Sequence, residues 1–182
     1  MKVLKFGGSS VGTPERISGV IDILKEYQAE GKKYAVVFSA FQGVTDSLIL
    51  ISNKAVARDE TYLEDLEQLE RIHYNSVEYL VSGNLKIASK KNVYDLLEEL
   101  KEIVHGVYLV KELTLRSLDY IMSFGERLSC NIISNAMNCR GLETEYLDSR
   151  LLVKTDESFG NAKVKFEITY KNIQDFFSQH NK

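Results

Sequence analysis

The stretch whose reading decides the fold is Met1 to Gly12, MKVLKFGGSSVG. Val3, Leu4 and Phe6 have the β-branched and aromatic character of a buried strand, and the run stops at the glycine pair Gly7-Gly8. Ser9, Ser10 and Gly12 follow, and then Thr13-Pro14-Glu15 signals a helix start: Thr as N-cap, Pro at the first helical position, Glu in the positive first turn. The unit is strand, glycine loop, helix. Such a loop favours anions, because glycines let backbone N–H groups crowd together and the helix end adds partial positive charge. It is not a Walker A loop, since Lys5 precedes the glycines, and Gly7, Gly8 and Gly12 lack the G-x-G-x-x-G spacing of a dinucleotide fingerprint. Lys5 ends the strand with Phe6 on the opposite face, so its ammonium can reach across the loop. A phosphate cradle and an ordinary strand-to-helix turn both remain open on this stretch alone.

Outward from the loop, Ile17, Val20, Ile21 and Leu24 recur at helical spacing up to Gly31, a C-cap residue. Lys33 to Ala40, KYAVVFSA, has the pattern of a strand buried on both faces. Strand, helix, strand predicts a right-handed βαβ unit, with Ser39 to Asp46 emerging beside the first loop at the carboxyl edge of a parallel sheet, where such sheets place ligands.

Three helical patterns follow. They are marked by Leu48, Ile51 and Ala55; by Leu63, Leu66, Leu69, Ile72 and Leu80; and by Val93, Leu96, Leu97, Leu100, Ile103 and Val104. They predict a helical subdomain over about residues 47–113, packed beside the sheet. His73 falls on the apolar side of the second and reads as a core or interface histidine. Thr114 to Asn138 predicts a long helix carrying Ser123-Phe124-Gly125-Glu126-Arg127-Leu128-Ser129. Gly125 costs about 1 kcal/mol against alanine in a helix and implies close approach of a neighbouring backbone or ligand. After Arg140-Gly141, a third strand is expected over Glu143 to Leu147, short strands at Leu151 to Val153 and Ala162 to Ile168, and a final helix over Lys171 to His180.

With 182 residues, 44% hydrophobic and 27% charged, the chain can bury one full core. A formal net charge of -3 argues against nucleic-acid or anionic-membrane partners. Cys130 and Cys139 sit nine residues apart in one predicted helix and cannot bridge; free thiols, with no span-length apolar run and no signal pattern, make the cytoplasm the expected compartment. His73, His105 and His180 are scattered and offer no metal site. Ser39 is in no nucleophile elbow. A phosphate-type loop, a second polar loop at the same edge and a carboxylate on a glycine-marked helix suit phosphoryl transfer, which asks mostly for positioning and charge neutralisation.

KFGGSSVG at Lys5 to Gly12, FSAFQGVTD at Phe38 to Asp46 and SFGERLS at Ser123 to Ser129 together resemble the aspartate kinases, as does LDSRLLVKTDESFGNA at Leu147 to Ala162. The resemblance implies an α/β fold, the three-layer α/β/α sandwich of the amino-acid kinases with a mainly parallel sheet, of which residues 1–182 would be the N-terminal portion. It implies ATP-dependent phosphorylation of the L-aspartate side-chain carboxylate, with Mg2+ arriving in the nucleotide complex. By position, Lys5 would act on the transferred phosphoryl group, and Gly7, Gly8, Ser9 and Ser10 would hold phosphates. Ser39 and Thr45 would lie around the aspartate, and Glu126 would receive its α-ammonium. The family's G-R-G-G-S-D run is not in this sequence. The expectation is therefore an inactive or weakly active portion of a homo-oligomeric enzyme, the rest of the kinase domain following C-terminally, with a monofunctional kinase and a fusion with homoserine dehydrogenase both open. Another amino-acid kinase and a non-catalytic anion-binding or dimerisation module are the alternatives.

Overall fold

A computed structural model describes residues 2–31 and 33–179. The chain opens with β1 (Lys2–Phe6), α1 (Pro14–Ala29) and β2 (Tyr34–Phe38), and the two strands pair in parallel with Lys5 opposite Val37 and Phe6 opposite Phe38. Thr13 caps α1, its hydroxyl accepting from the Arg16 amide at 3.3 Å, and Pro14 occupies the first turn. The helix stops where Gly31, at φ 68°, takes the left-handed conformation that glycine adopts without a Cβ clash.

The period-2 geometry of the strands sorts their residues. Leu4, Phe6, Val36 and Phe38 turn to the core, with Phe6 and Phe38 stacked at 5.8 Å. Val3, Lys5 and Val37 turn outward, Val3 remaining 64% exposed and Val37 51%. The expected burial of the second strand on both faces is thus corrected. Among the described residues the sheet has two strands, and helices cover one face of it.

The rest is mostly helix: α2 (Val44–Val56), α3 (Tyr62–Leu80), α4 (Gly83–Val110) and α5 (Leu115–Cys139). Their apolar stripes meet in one continuous core with α1 and the inner sheet face. Phe124, Leu128, Ile132 and Ile133 of α5 are fully buried at its centre, and each such side chain contributes roughly 1.5–3 kcal/mol. His73 is also fully buried, as its place on the apolar side of α3 implied.

The predicted third strand at Glu143 to Leu147 does not form. Asn138 takes up the backbone instead: its side-chain amide donates to the Thr144 carbonyl at 3.0 Å and its oxygen accepts from the Thr144 amide at 2.9 Å. A backbone whose polar groups are met by a neighbouring helix has none left for a ladder there. The short strands are corrected too. Ser149–Leu151 is a 3-10 turn capped by Asp148, and of Ala162 to Ile168 only Val164 makes a bridge, to Thr155. The last helix, α6 (Phe166–Gln179), begins five residues earlier than its apolar pattern suggested; His180 lies outside the described residues.

Candidate functional site

The β1–α1 loop turns on its own backbone. The Ser10 amide donates to the Gly7 carbonyl at 2.9 Å, and the Val11 amide lies 3.3 and 3.2 Å from the Gly7 and Gly8 carbonyls. Val11 is fully buried and anchors the turn. Among the described residues the amides of Gly8 and Ser9 have no intramolecular acceptor, so two donors are free for an anion. A Cβ placed on Gly7 would stand 3.3 Å from Lys5 Nζ, which means that the ammonium lies over the loop. Arg16 braces the far side, donating to the Ser9 carbonyl at 2.9 Å.

The second loop is pressed against the first. A Cβ on Gly8 would be 3.5 Å from the Ala40 carbonyl, and one on Gly12 would be 2.7 Å from Gln42 Oε1. Ser39 and Ala40 leave the sheet, Ala40 and Phe41 are buried, and Gly43 at φ 82° turns the chain into α2, whose first turn carries Thr45. From behind, His73 stacks on Phe41 with ring centroids 5.3 Å apart, its Nδ1–H donating to the Leu69 carbonyl at 2.7 Å. Burial pushes the His73 imidazole down to about 4, so it is neutral near pH 7.

Helix α5 completes the edge. Its Gly125 lies where a Cβ would meet the Ala40 Cβ at 2.8 Å, which bears out the close approach implied by a mid-helix glycine. That proximity lets Glu126 Oε1 accept from the Ala40 amide at 3.3 Å and Ser129 Oγ donate to the Ser39 carbonyl at 2.8 Å. The next residue, Arg127, donates to Glu99 at 2.8 Å and lies over the Phe124 ring. Burial pushes the neighbouring Cys130 thiol up to about 11, leaving it protonated and a poor nucleophile.

The structure thus brings Lys5, Gly7, Gly8, Ser9, Ser10, Ser39, Thr45 and Glu126 to two touching loops and one helix face. Arg16, His73 and Ser129 support them; the sequence reading gave Arg16 and Ser129 no role and took His73 only for a core or interface histidine. Ser129 alone had a legible signal, as a polar residue one helical turn from Glu126 on a buried face. A groove of about 480 Å³ lies elsewhere, between the start of α5 and residues 150–162, with Arg116, Tyr120, Arg150 and Phe159 among its walls; of the three motifs it borrows only Ser123. Among the described residues no group of three or more His, Cys, Asp or Glu side chains could hold a metal ion, and no helix is long and apolar enough to cross a membrane.

At this edge of the sheet, free amides lie under a lysine on one loop, and a carboxylate holds the backbone of the loop pressed against it. The chain belongs to the amino acid kinase family, whose model matches residues 1–182. It is 33% identical over 175 residues to aspartokinase 1, chloroplastic, of Arabidopsis thaliana, covering 94% of this chain and 29% of that protein. With the bifunctional aspartokinase/homoserine dehydrogenase 1, chloroplastic, of Zea mays it shares 30% identity over 178 residues, 97% of this chain and 19% of that one. The crystal structure of Escherichia coli aspartokinase III in complex with aspartate and ADP superposes with a TM-score of 0.85 at 21% identity, over 100% of this chain and 38% of that chain. The chain thus has an aspartokinase-like fold and spans about 30% of the length of the Arabidopsis thaliana aspartokinases it matches.

Proposed function

We propose that the chain supplies the phosphate loop and most of the aspartate pocket of an aspartate kinase, an enzyme that moves the γ-phosphoryl group of ATP onto the side-chain carboxylate of L-aspartate to give 4-phospho-L-aspartate. The observation that carries this reading is the Glu126–Ala40 hydrogen bond, because it sets an acid suited to an α-ammonium against the loop that touches the glycine turn. The Gly8 and Ser9 amides and the Lys5 ammonium meet the nucleotide's phosphates. Lys5 neutralises charge as the γ-phosphoryl passes to the attacking carboxylate oxygen and the electron pair of the breaking P–O bond leaves with ADP. Magnesium comes with the nucleotide as part of the substrate. Ser39 and Thr45 flank the amino acid, with Glu126 fixing its ammonium end so that the side-chain carboxylate faces the phosphate. We further propose that residues 1–182 form the N-terminal part of a three-layer α/β/α kinase domain in a cytoplasmic homo-oligomer, and that this part alone is weakly active or inactive.

The test is ADP formation by the natural full-length protein with aspartate, glutamate, carbamate or a nucleoside monophosphate as acceptor. Aspartate is the expected substrate. Lys5→Ala should lower kcat by about 10²–10³-fold, on the scale of losing one charge-stabilising donor. Glu126→Ala should act chiefly on the KM for aspartate. Turnover restricted to another acceptor would overturn the substrate assignment; calorimetric ATP and aspartate binding that ignores both substitutions would favour a non-catalytic module.

A further inference from the structure

The end of β2 is held in an unusual way. The ladder with β1 closes when the Ser39 amide donates to the Phe6 carbonyl at 3.1 Å. Along the other side, three successive backbone groups are met by α5 side chains: the Phe38 carbonyl by Cys130 Sγ at 3.8 Å, the Ser39 carbonyl by Ser129 Oγ at 2.8 Å, and the Ala40 amide by Glu126 Oε1 at 3.3 Å. These tethers are unequal. The thiol is a weak donor at long range, and the Glu126 carboxylate is the group that an amino acid's ammonium would claim. Ser129 is fully buried, and its hydroxyl lies nearer the Ser39 carbonyl, at 2.8 Å, than the Glu126 carbonyl, at 3.2 Å.

We propose that Ser129 is a positioning residue for the amino-acid substrate: it pins the Ser39 carbonyl to the helical turn that carries Glu126, keeping the hydroxyl loop and the carboxylate in register when the ammonium draws Glu126 away from Ala40. The inference rests on the aspartate reading above. It assigns Ser129 no contact with substrate. Its loss would therefore weaken recognition of the amino acid and leave the nucleotide loop, which is held by its own backbone, as it was.

The test uses Ser129→Ala and the near-isosteric Ser129→Cys in the full-length protein. Losing one buried hydrogen bond at this joint should raise the KM for aspartate about tenfold in Ser129→Ala, with the KM for ATP changed less than about twofold and kcat little affected. Ser129→Cys, a weak donor of similar shape, should recover part of the loss and keeps the test available if the alanine variant folds poorly. Hydrogen exchange without substrate should be about tenfold faster at the Ala40 amide in Ser129→Ala, while the Val37 amide, inside the ladder, keeps its protection. Unchanged Ala40 protection, or an equal rise in both KM values, overturns the proposal. An enzyme that ignores aspartate overturns the functional reading instead, and the exchange rates then decide the tether by themselves.

Discussion

The two loops at the carboxyl edge of the sheet are built on opposite plans. The β1–α1 loop is held from within, by amides of Ser10 and Val11 on carbonyls of Gly7 and Gly8, and its Ser9 and Lys5 are exposed. The β2–α2 loop is held from outside: Ala40 by Glu126 and Gly125, Ser39 by Ser129, Phe41 by His73. A loop with spare donors and little burial can adapt to a phosphate chain. One clamped between the buried faces of two helices is pre-organised, which suits discrimination of one small acid from another. Substitutions in the first should therefore cost function, and substitutions around the second should cost stability.

The sharpest way to break that contrast is Gly125→Val. Its Cβ would fall 2.8 Å from the Ala40 Cβ, and Val44 and Leu48 already stand within 3.4 and 3.5 Å of that point. Overpacking against backbone-fixed neighbours should destabilise the chain by about 3 kcal/mol, read as a shift in urea midpoint at unchanged slope. His73 gives the next effect. Its imidazole is lowered from 6.5 to about 4 by burial, so the unfolded chain binds the proton more readily. Stability from this group is complete above about pH 6.5 and is lost as the pH falls towards 4, by about 2–3 kcal/mol at pH 4.5. In His73→Phe, which keeps a ring against Phe41, that part of the acid slope should vanish, so the variant gains on the parent between pH 6.5 and 4.5 in urea titrations. A slope unchanged by the substitution would mean that the histidine behind the loop is hydrated.

The contrast also explains what could be read from the sequence. Local signals survived: Thr13 and Pro14 open α1, Thr114 caps α5, and most of the apolar stripes of α3 and α4 became buried faces, although Leu63 and Ile72 of α3 stay exposed. Gly125 was legible because a mid-helix glycine is costly unless something lies against it. What failed was whatever depends on a distant partner. Glu143 to Leu147 has strand-like residues, but Asn138 captured the Thr144 backbone, and a strand is defined by the neighbour it pairs with. Val37 looked buried from its apolar run, yet burial of a strand face depends on which layers cover it. The stacking of His73 on Phe41 links positions 32 residues apart with no local signature, so it could be read as core but not as a support for the loop.

Where the loops touch, a smaller effect is expected. Gly12→Ala would bring a Cβ to 2.7 Å from Gln42 Oε1 and 3.1 Å from its Cβ. The Gln42 side chain is exposed and flexible, so the loss should be about 1 kcal/mol and should shrink in the double variant Gly12→Ala, Gln42→Ala. Additive losses would place the conflict on the Gly8 carbonyl, 3.3 Å away, and make the first loop stiffer than its exposure implies.

The smallest effect on stability should come from the residue with the largest effect on chemistry. Lys5 is exposed on the outer sheet face, opposite Val37, and its ammonium lies over Gly7 without an ion-pair partner among the described residues. Lys5→Met keeps most of the stem and removes the charge. Its unfolding free energy should stay within about 0.5 kcal/mol of the parent, while calorimetric affinity of the full-length protein for ATP or pyrophosphate falls about tenfold or more. Lys5→Arg should restore only part of that affinity, because a planar fork cannot replace a compact point charge folded over a glycine turn. If Lys5→Met instead lost more than about 1 kcal/mol of stability and little affinity, the lysine would be a prop for the loop, and the division between an adaptable first loop and a clamped second one would fail at its simplest point.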